Sequence, residues 1–414
     1  MPPPVNLSSD DDLGALLPAN ATIWVSGCSA ESLVLAEMVK ASAGSIKNPT
    51  YSGIFVSGLN QVDWASAPTA SLLTYFLTPE ARNLGDRCTF LPICYADISD
   101  RLANHPPDAA LFMISPPDEK GRCSFGSCVD FISDIWPRIP VRIAHINPLM
   151  PRTNGDPGIP IDQLTAFVEA PQQLMGMNEE AADPVASQIA HNVAKFIPDG
   201  ATVQTGLGKL PGAVLRALTG HRELAIHSGL IGDAVLDLID AGALRAGQSV
   251  TGGVAIGTRR LYERISDPAF SFRSPSVTHD VAAIARLGQF VAINSAIEVD
   301  LFGQAYAEMG PRGFQSGPGG ALDFSRGARL SNGGLRLIIL PSTAKGTTRI
   351  VMPPRRGPVS LGRMDIDIVI TEHGGADLRG QTHGGRARAL IAIAAPEHRH
   401  ELQDQWRNFE EHEL

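Results

Sequence analysis

Two glycine-rich segments of the chain have the composition of loops that bind anionic ligands. The first segment runs through Gly206, Leu207, Gly208, Lys209 and Leu210. A β-prone run precedes it, and a helical pattern that Pro211 opens follows it. Backbone N–H groups at such a turn, together with the helix dipole, hold pyrophosphate or carboxylate groups. A tight turn without a ligand explains the same glycines, so this segment alone leaves both interpretations open.

The second glycine-rich segment contains Gly317, Gly319 and Gly320. Glycines at these positions allow the backbone to approach a ligand closely or to adopt positive φ. Residues 312–363 carry nine basic side chains against one acid, Asp323, in a chain whose formal net charge is −9. This asymmetry indicates an anionic ligand, and a solvated basic face is the alternative.

Carboxylates that could act as acid, base or nucleophile lie in two later segments. Residues 292–301 read as one β-strand, on which Glu298 and Asp300 point to the same face. They form either a pair with perturbed pKa values or a structural ion pair. Glu372 and His373 would make an acid/base pair if they faced a cleft. Adjacent residues of a strand point to opposite faces, so only one of them is expected to do so.

Two stretches of the chain, 180 positions apart, are alike. Residues 17–23 and 197–203 each lead through a short β-prone run and a small-residue turn into an apolar helical stripe. The equal offset across strand, turn and helix favours duplication of an α/β domain. Glu31 lies just after the first of these turns, and we expect it to be a carboxylate on the surface of a helix.

The alternation of strands and helices predicts an α/β fold. We expect two similar open α/β domains with mostly parallel sheets and an active site at the domain interface. Prolines and polar residues interrupt the apolar periodicity at residues 170–186. We therefore place an N-terminal domain at residues 1–180 and a C-terminal domain at residues 181–414.

Composition excludes several classes of protein. Hydrophobic residues make up 43% and charged residues 19% of the 414 residues, as in a globular chain. The net charge of −9 argues against nucleic acid as a partner, and no apolar run approaches the roughly 20 residues that cross a membrane. Five cysteines without a Cys-x-x-Cys pair predict neither a disulfide framework nor a metal site. We expect a reduced, soluble, cytoplasmic protein.

The segment 226–243 resembles the active-site segment of the acetyl-CoA hydrolase/transferase family, which includes the 4-hydroxybutyrate and butyrate CoA-transferases. Five further motifs follow the family's order and spread the resemblance over most of the chain. They are Gly-x-Gly-x-x-Pro at 206–211, Ile-Asn-Ser…Glu-Val-Asp-Leu-x-Gly-Gln at 293–304, Gly-x-Gly-Gly…Asp-Phe at 317–324, Pro-Ser-Thr-Ala-Lys-Gly at 341–346 and Thr-Glu-x-Gly-x-Ala-Asp-Leu-Arg-Gly at 371–380.

The resemblance implies an enzyme of acyl-CoA metabolism with two CoA-transferase-like domains, of which the C-terminal domain carries the CoA site. Coenzyme A is then a co-substrate, with no tightly bound cofactor, and a small carboxylic acid is the second substrate. A homodimer or a higher homo-oligomer is the implied assembly. The implied CoA-binding residues are Gly206, Leu207, Gly208, Lys209, Leu210, Gly317, Gly319, Gly320 and Lys345.

One residue departs from the family pattern. Members of the family carry His-Thr-Glu in the active-site segment, and the glutamate becomes an enzyme-bound CoA thioester; this chain has His227-Ser228-Gly229. Glycine has no side chain with which to attack a thioester, so the reaction cannot use position 229 as a nucleophile.

Three functions are compatible with this departure. The favoured one is a CoA-transferase that moves CoA between an acyl-CoA thioester and a small carboxylic acid. It would use Glu298, Glu372 or Glu31 as an atypical nucleophile, or transfer CoA directly to the acceptor. The first alternative is an acyl-CoA thioester hydrolase that places water in the space at Gly229, with His227 as general base. The second alternative is a non-catalytic acyl-CoA-binding protein.

Overall fold

A computed structural model of the chain describes residues 3–178, 180–310, 313–353 and 357–413. The chain divides into two compact units. Unit 1 comprises Met1–Asn178, Gly229–Ile231 and Val250–Thr278, and unit 2 comprises Glu179–Ser228, Gly232–Ser249 and His279–Leu414. The units are discontinuous in sequence, because two segments beyond residue 228 pack with unit 1. The domain limits 1–180 and 181–414 stay a prediction.

The strands are short and are numbered in chain order. They are β1 (Val5–Asn6), β2 (Thr22–Val25), β3 (Thr50–Gly53), β4 (Ser71–Thr74), β5 (Cys88–Phe90), β6 (Ala109–Ile114), β7 (Arg122–Cys123), β8 (Val141–Ile146), β9 (Ile159–Pro160), β10 (Ala166–Glu169), β11 (Thr202–Gln204), β12 (Ala225–Ile231), β13 (Val250–Ala255), β14 (Phe270–Phe272), β15 (Phe290–Ser295), β16 (Glu298–Asp300), β17 (Ala305–Tyr306), β18 (Met309–Gly310), β19 (Gly313–Phe314), β20 (Leu335–Ile339), β21 (Thr343–Ala344), β22 (Thr347–Thr348), β23 (Ile350–Val351), β24 (Ile368–Thr371) and β25 (Gly374–Asp377).

The helices follow the same numbering. They are α1 (Leu33–Ala41), α2 (Pro79–Asn83), α3 (Tyr95–Asn104), α4 (Ile132–Ile135), α5 (Pro184–Ala194), α6 (Lys209–Ala217), α7 (Ala234–Asp240), α8 (Arg259–Tyr262), α9 (Pro275–Thr278), α10 (Val281–Ala285), α11 (Ala321–Leu330), α12 (His383–Ala392) and α13 (Pro396–Glu413). Among the residues that the structure describes, no helix is both long and apolar enough to cross a membrane.

Unit 1 is built on a parallel sheet with the spatial order β1-β10-β8-β6-β2-β3-β4-β5. The order reverses between β2 and β6, because the chain proceeds from β2 to β5 on one side and returns through β6 on the other. Ligands of open α/β sheets bind at such a reversal, beyond the carboxyl ends of the strands. The residues that follow β2, including Glu31, lie at this position of the sheet.

Unit 2 has the strand order β12-β11-β15-β20-β24-β25, with residues 225–228 of β12 in this unit. The pairings are parallel except for the hairpin of β24 and β25. Both units therefore have the mostly parallel sheets with covering helices that the sequence predicts. β2 and β11 begin 180 positions apart, at Thr22 and Thr202, whereas α1 and α6 begin 176 apart, at Leu33 and Lys209.

The prediction of one continuous strand over residues 292–301 is wrong. β15 ends at Ser295, and β16, which begins at Glu298, belongs to a separate sheet with the order β17-β16-β23. The hydrogen-bond partners change at the break, because the Ala296 N–H donates to the carbonyl of Ile339 and the Ile297 N–H to that of Tyr306. Glu298 and Asp300 therefore lie together on β16, and residues 292–295 lie on a different strand.

Candidate active site

β12 carries the segment His227-Ser228-Gly229. The side chains of His227 and Ser228 are buried in unit 2. The Ser228 hydroxyl donates a hydrogen bond of 2.6 Å to the carbonyl of Thr205, which is the residue that precedes the first glycine turn. The His227 ring packs edge-on against Phe290, with 6.0 Å between the ring centroids. β12 is thereby fastened to the start of the glycine turn by a serine hydroxyl.

Gly229 is half-buried at the start of the β12 residues that belong to unit 1. Its carbonyl oxygen lies 3.0 Å from the position at which Gly253 of β13 would carry a Cβ atom, so the strands approach closely because residue 253 is glycine. Gly229 itself lies in a β-strand, where the backbone conformation is one that any residue adopts. That Gly229 replaces a glutamate nucleophile stays a prediction.

The first glycine turn leads from β11 into α6. Gly208 has φ of +105° and caps α6 without a side-chain hydrogen bond, so glycine is required there by backbone conformation. A Cβ atom added at Gly206 or Gly208 would meet no protein atom within 4 Å. The space that side chains at Gly206 and Gly208 would occupy is therefore open. A ligand in this space could approach the backbone N–H groups at the start of α6.

The ammonium group of Lys209, at the end of this turn, is engaged in ion pairs. It forms ion pairs with Asp183 at 3.2 Å and Glu180 at 3.3 Å. These carboxylates raise the pKa of Lys209, and Asp183 also caps α5 by accepting from the Ala186 N–H. Lys209 thus links the beginning of α5 to the beginning of α6, and a ligand at the turn would meet mainly its backbone.

The second glycine loop ends at Gly320, the N-cap residue of α11. A Cβ atom at Gly320 would lie 2.4 Å from Cδ2 and 2.5 Å from Nε2 of His279, so the imidazole occupies the space of the missing side chain. The His279 ring is buried and packs on Phe324, with 4.6 Å between the ring centroids. Burial lowers the pKa of His279 to about 3, and His227 acts in the same direction. Sequence reasoning missed His279, because a single histidine in an irregular segment carries no motif.

Lys345 lies at the exposed tip of the hairpin formed by β21 and β22. Lys345 and Gly346 both have positive φ, of +52° and +78°. Two positive φ angles in succession are typical of the type I′ turn that matches the twist of a two-stranded hairpin. The hairpin therefore projects the Lys345 ammonium group away from the core.

The two carboxylates on β16, Glu298 and Asp300, differ in burial. Asp300 is fully buried, and its carboxylate accepts hydrogen bonds from the N–H groups of Phe302 and Gln304, the Gln304 amide and the Tyr306 hydroxyl. These bonds fix the tight turn after β16, which makes Asp300 structural. Glu298 is half-buried at the first position of β16, opposite Tyr306.

Glu372 and His373 do not lie on a strand, which corrects the prediction that they point to opposite faces. They form the turn between β24 and β25, and Nε2 of His373 lies 3.7 Å from Oε1 of Glu372. The Glu372 carboxylate accepts from the Ser342 N–H at 2.9 Å and from the Ser342 hydroxyl at 2.6 Å. Glu372 thus anchors the segment that leads to the Lys345 hairpin.

The basic segment is not one surface patch. The buried guanidinium of Arg336 is bound on two sides by the Asp367 carboxylate, at 2.6 Å and 3.0 Å, and serves the fold. Arg326 and Arg329 are exposed on α11, and Arg349 and Arg363 are half-buried. The remaining members, Arg312, Arg355 and Arg356, lie outside the described residues.

Glu31 and Asp130, two acidic residues of unit 1, are both buried. Glu31 is fully buried, not on a helix surface, and burial raises its pKa. Asp130, which no sequence motif indicates, is 7% exposed and has φ of +32°, and burial raises its pKa to about 7. The Asp130 N–H lies 3.5 Å from the carbonyl of Gly253. Asp130 is therefore held next to the strand that abuts Gly229.

Unit 1 also contains a cleft of about 620 Å³ at the carboxyl end of β13. Its walls combine apolar side chains with polar ones from α8, and they include Leu149, Leu174, Met177, Thr258, Arg259 and Tyr262. The volume lies in the range of small-molecule sites. Sequence reasoning did not find this cleft, since its walls come from segments that are distant in the chain.

The described residues contain neither a disulfide nor a cluster of metal-binding side chains. None of the five cysteines is in a disulfide, and four of them are buried, namely Cys28, Cys94, Cys123 and Cys128. No group of three or more His, Cys, Asp or Glu side chains that could hold a metal ion occurs in the described part of the chain.

Comparison with known proteins adds the following likenesses. Residues 257–406 match the family model described as the acetyl-CoA hydrolase/transferase C-terminal domain. The chain is 35% identical over 342 residues to 4-hydroxybutyrate coenzyme A transferase of Clostridium kluyveri, with 80% of each chain covered. It is 28% identical over 267 residues to acetyl-CoA hydrolase of Kluyveromyces lactis, with 58% of this chain and 49% of the hydrolase covered.

Two solved structures are similar over almost the whole chain. RipA from Yersinia pestis has a TM-score of 0.90 at 27% identity, with 98% of each chain covered. A 4-hydroxybutyrate CoA-transferase from Porphyromonas gingivalis has a TM-score of 0.81 at 28% identity, with 98% of this chain and 97% of that one covered. The fold and these likenesses define an α/β enzyme that is either a CoA-transferase or an acyl-CoA hydrolase. The chain belongs to the acetyl-CoA hydrolase/transferase family.

Proposed function

We propose that this enzyme is a CoA-transferase that moves CoA between an acyl-CoA thioester and a small carboxylic acid. The observation that carries the proposal is the extent of the likeness to transferases. The 4-hydroxybutyrate coenzyme A transferase is matched over 80% of its length, whereas the acetyl-CoA hydrolase is matched over 49% of its own. A butyryl-CoA:acetate CoA-transferase of Anaerostipes caccae is 30% identical over 75% of its length.

Coenzyme A is the proposed co-substrate, and the glycine segments are its proposed binding loops. The open side of the Gly206–Gly208 turn supports this assignment, since backbone N–H groups at the start of α6 are accessible to an anionic group. The exposed Lys345 ammonium group would attract the phosphates. The remaining proposed CoA contacts are Leu207, Lys209, Leu210, Gly317, Gly319 and Gly320.

Transfer does not require a nucleophile from position 229. In a direct mechanism the acceptor carboxylate attacks the thioester carbonyl, a C–O bond forms, and the C–S bond breaks to release CoA thiolate. The thiolate then attacks the acceptor's carbonyl in the mixed anhydride, and the donor acid leaves as a carboxylate. Of the candidate nucleophiles, Glu372 is occupied by Ser342 and Glu31 is fully buried. Glu298, half-buried at the first position of β16, is the protein carboxylate that we propose for a covalent route.

Hydrolysis is the alternative that one observation favours. Gly229 presents no side chain, and the neighbouring His227 carries an imidazole that could accept a proton from water. Attack by that water would break the C–S bond and give a carboxylic acid and CoA. Backbone N–H groups of the 317–320 loop would stabilise the tetrahedral oxyanion.

The test is turnover of a panel of acyl-CoAs with and without acetate, followed by mass spectrometry of small molecules and of intact protein. A transferase gives acetyl-CoA only when acetate is present. Formation of free CoA at the same rate without acetate would establish a hydrolase. Absence of turnover together with tight CoA binding would leave a non-catalytic binding protein and would overturn the proposal.

Substitution at position 229 tests whether a carboxylate placed there would reach the thioester of a bound acyl-CoA. We expect Gly229→Glu to form an enzyme-bound CoA thioester, which borohydride reduces to an alcohol that peptide mass spectrometry locates at residue 229. Gly229→Gln is the matched control, because the amide has a similar shape but does not attack a thioester. A CoA adduct on Glu298 in the unsubstituted enzyme would establish the covalent route instead of direct transfer.

A further inference from the structure

Residues 279–285, which include α10, meet α11 and its N-cap residue through two glycines. Gly320 faces His279, and Gly327 faces Ile284, where an added Cβ atom would lie 2.5 Å from the isoleucine side chain. Positions seven residues apart lie on one face of a helix, about two turns from each other. α11 therefore presents two gaps to residues 279–285, one on either side of Phe324, and the His279 imidazole fills the first of them.

His279 belongs to a continuous row of rings in unit 2. Its ring packs on Phe324 of α11, Phe324 stacks on Phe290 at 6.3 Å and 17°, and Phe290 meets the edge of His227. The row joins the histidine of the β12 segment to the loop that precedes α11. Because the rings are buried and closely packed, a displacement of His279 is transmitted to Gly320 directly.

We propose that His279 is a positioning residue of the CoA site, in which its imidazole occupies the side-chain space of Gly320 and fixes the 317–320 loop at the start of α11. This inference rests on the proposed function, since it is that function which gives the loop its role in holding CoA. Burial keeps the pKa of His279 at about 3, so the imidazole stays uncharged at neutral pH and does not repel or pair with the ligand.

The test is a double-mutant cycle on His279→Ala and Gly320→Ala, read out by the Kd for CoA and by kcat and KM for the acyl-CoA. We expect each single variant to lower kcat/KM by on the order of tenfold to a hundredfold, the scale of a loop misplaced by about 1 Å. In the His279→Ala background, the added Gly320→Ala methyl group no longer overlaps the imidazole, and Phe324 Cε2 at 3.2 Å is its nearest neighbour. The methyl group is then expected to change these parameters by no more than about twofold.

Three controls make the outcome specific. Gly327→Ala creates a comparable overlap on the same helix, but the overlap is with Ile284. Its effect on kcat/KM is therefore expected to be the same whether residue 279 is histidine or alanine. His221→Ala removes a half-buried imidazole elsewhere in unit 2, whose Nε2 lies 3.0 Å from the carbonyl of Ile197, and is expected to leave KM unchanged. His279→Phe retains a ring at this position and is expected to keep KM close to that of the unsubstituted enzyme. It also provides a folded variant for the test if His279→Ala does not fold.

Two results would overturn the inference. The first is a folded His279→Ala variant whose KM and Kd are unchanged. The second is a Gly320→Ala substitution that lowers kcat/KM by the same factor whether or not the imidazole is present. Failure of the proposed function is a different result, because the unsubstituted enzyme itself would then neither bind CoA nor turn over any acyl-CoA.

Discussion

Asp130 combines burial, positive φ and a carboxyl group that titrates near neutrality. Burial is the main cause of its raised pKa, and the negative charge of Asp134 adds to it. Such a residue is costly to a fold, because ionising a buried carboxyl without a cation is unfavourable. Its backbone is held beside Gly253, the residue against which Gly229 packs. Strained, buried carboxyls of this kind cluster at functional sites.

The stability of the protein is expected to depend on pH through Asp130. The pKa is about 7 in the folded chain against 3.8 for the ordinary group, so stability is lost as pH rises from about 4 to 7. Asp130→Asn removes this loss and tolerates positive φ. We expect Asp130→Asn to add more to the free energy of unfolding at pH 8 than at pH 4, by on the order of 4 kcal/mol, since each unit of pKa shift is worth about 1.4 kcal/mol. Thermal melts at both pH values measure the effect.

The control for this pH dependence is Asp162→Asn. Asp162 is an exposed carboxylate in the same unit, and its substitution is expected to leave the difference between pH 4 and pH 8 unchanged. Equal stabilisation by Asp130→Asn at both pH values would show that Asp130 ionises normally in the folded protein.

Some residues could be predicted from the sequence and others could not, for physical reasons. The glycine turns are local features, and β11, the turn and α6 follow from their neighbours in the chain. The burial of Glu31 and Asp130 depends on the sheet packed around them, which no local pattern encodes. His279 acquires its surroundings from Gly320 and Phe324, some forty residues further along the chain. Its environment therefore appears only in the folded chain.

At the scale of elements, hydrogen-bond partners decide where strands end. The sequence pattern of residues 292–301 alternates as in a strand, yet the ladder changes partner at Ala296 and divides the run into β15 and β16. The alternation reports which side chains are buried but does not report which strand lies alongside. For the same reason the pattern at Glu372 and His373 predicts a strand, whereas the chain turns there.

The connection between β20 and β24 is expected to depend on the buried ion pair of Arg336 and Asp367. Asp367→Ala leaves a buried guanidinium without its partner, and we expect a loss of about 3–5 kcal/mol in the free energy of unfolding. Denaturant titration of the purified variants measures this. The double variant Arg336→Met/Asp367→Leu, which removes both charges, is expected to lie much closer to the unsubstituted protein. Similar losses in the single and double variants would contradict this account.

At the scale of the whole molecule, a chain of net charge −9 has to bind a co-substrate that is itself anionic. Long-range electrostatics therefore oppose the approach of CoA, and local cations and backbone N–H groups have to compensate. Such an arrangement binds more weakly as ionic strength rises where the cation is exposed, as Lys345 is. The homo-oligomeric assembly and the cytoplasmic location stay predictions.

CoA is expected to stabilise the whole protein against unfolding. At a concentration about a hundred times its Kd, a ligand of the folded state adds about 2.7 kcal/mol, which appears as a rise in Tm. Lys345→Ala is expected to reduce this rise, and Lys345→Arg, which keeps the charge, to retain most of it. A rise in Tm that is identical in all three proteins would remove Lys345 from the binding site.

The overlap between Gly320 and the His279 imidazole also constrains how this sequence can diverge. A lineage that first gains a side chain at position 320 passes through an impaired intermediate, because the methyl group and the ring compete for one space. A lineage that first loses the ring at position 279 gives up the support of the loop but then accepts alanine at 320 without further loss. The order of substitutions therefore matters, and the two positions are expected to change together among descendants of this chain.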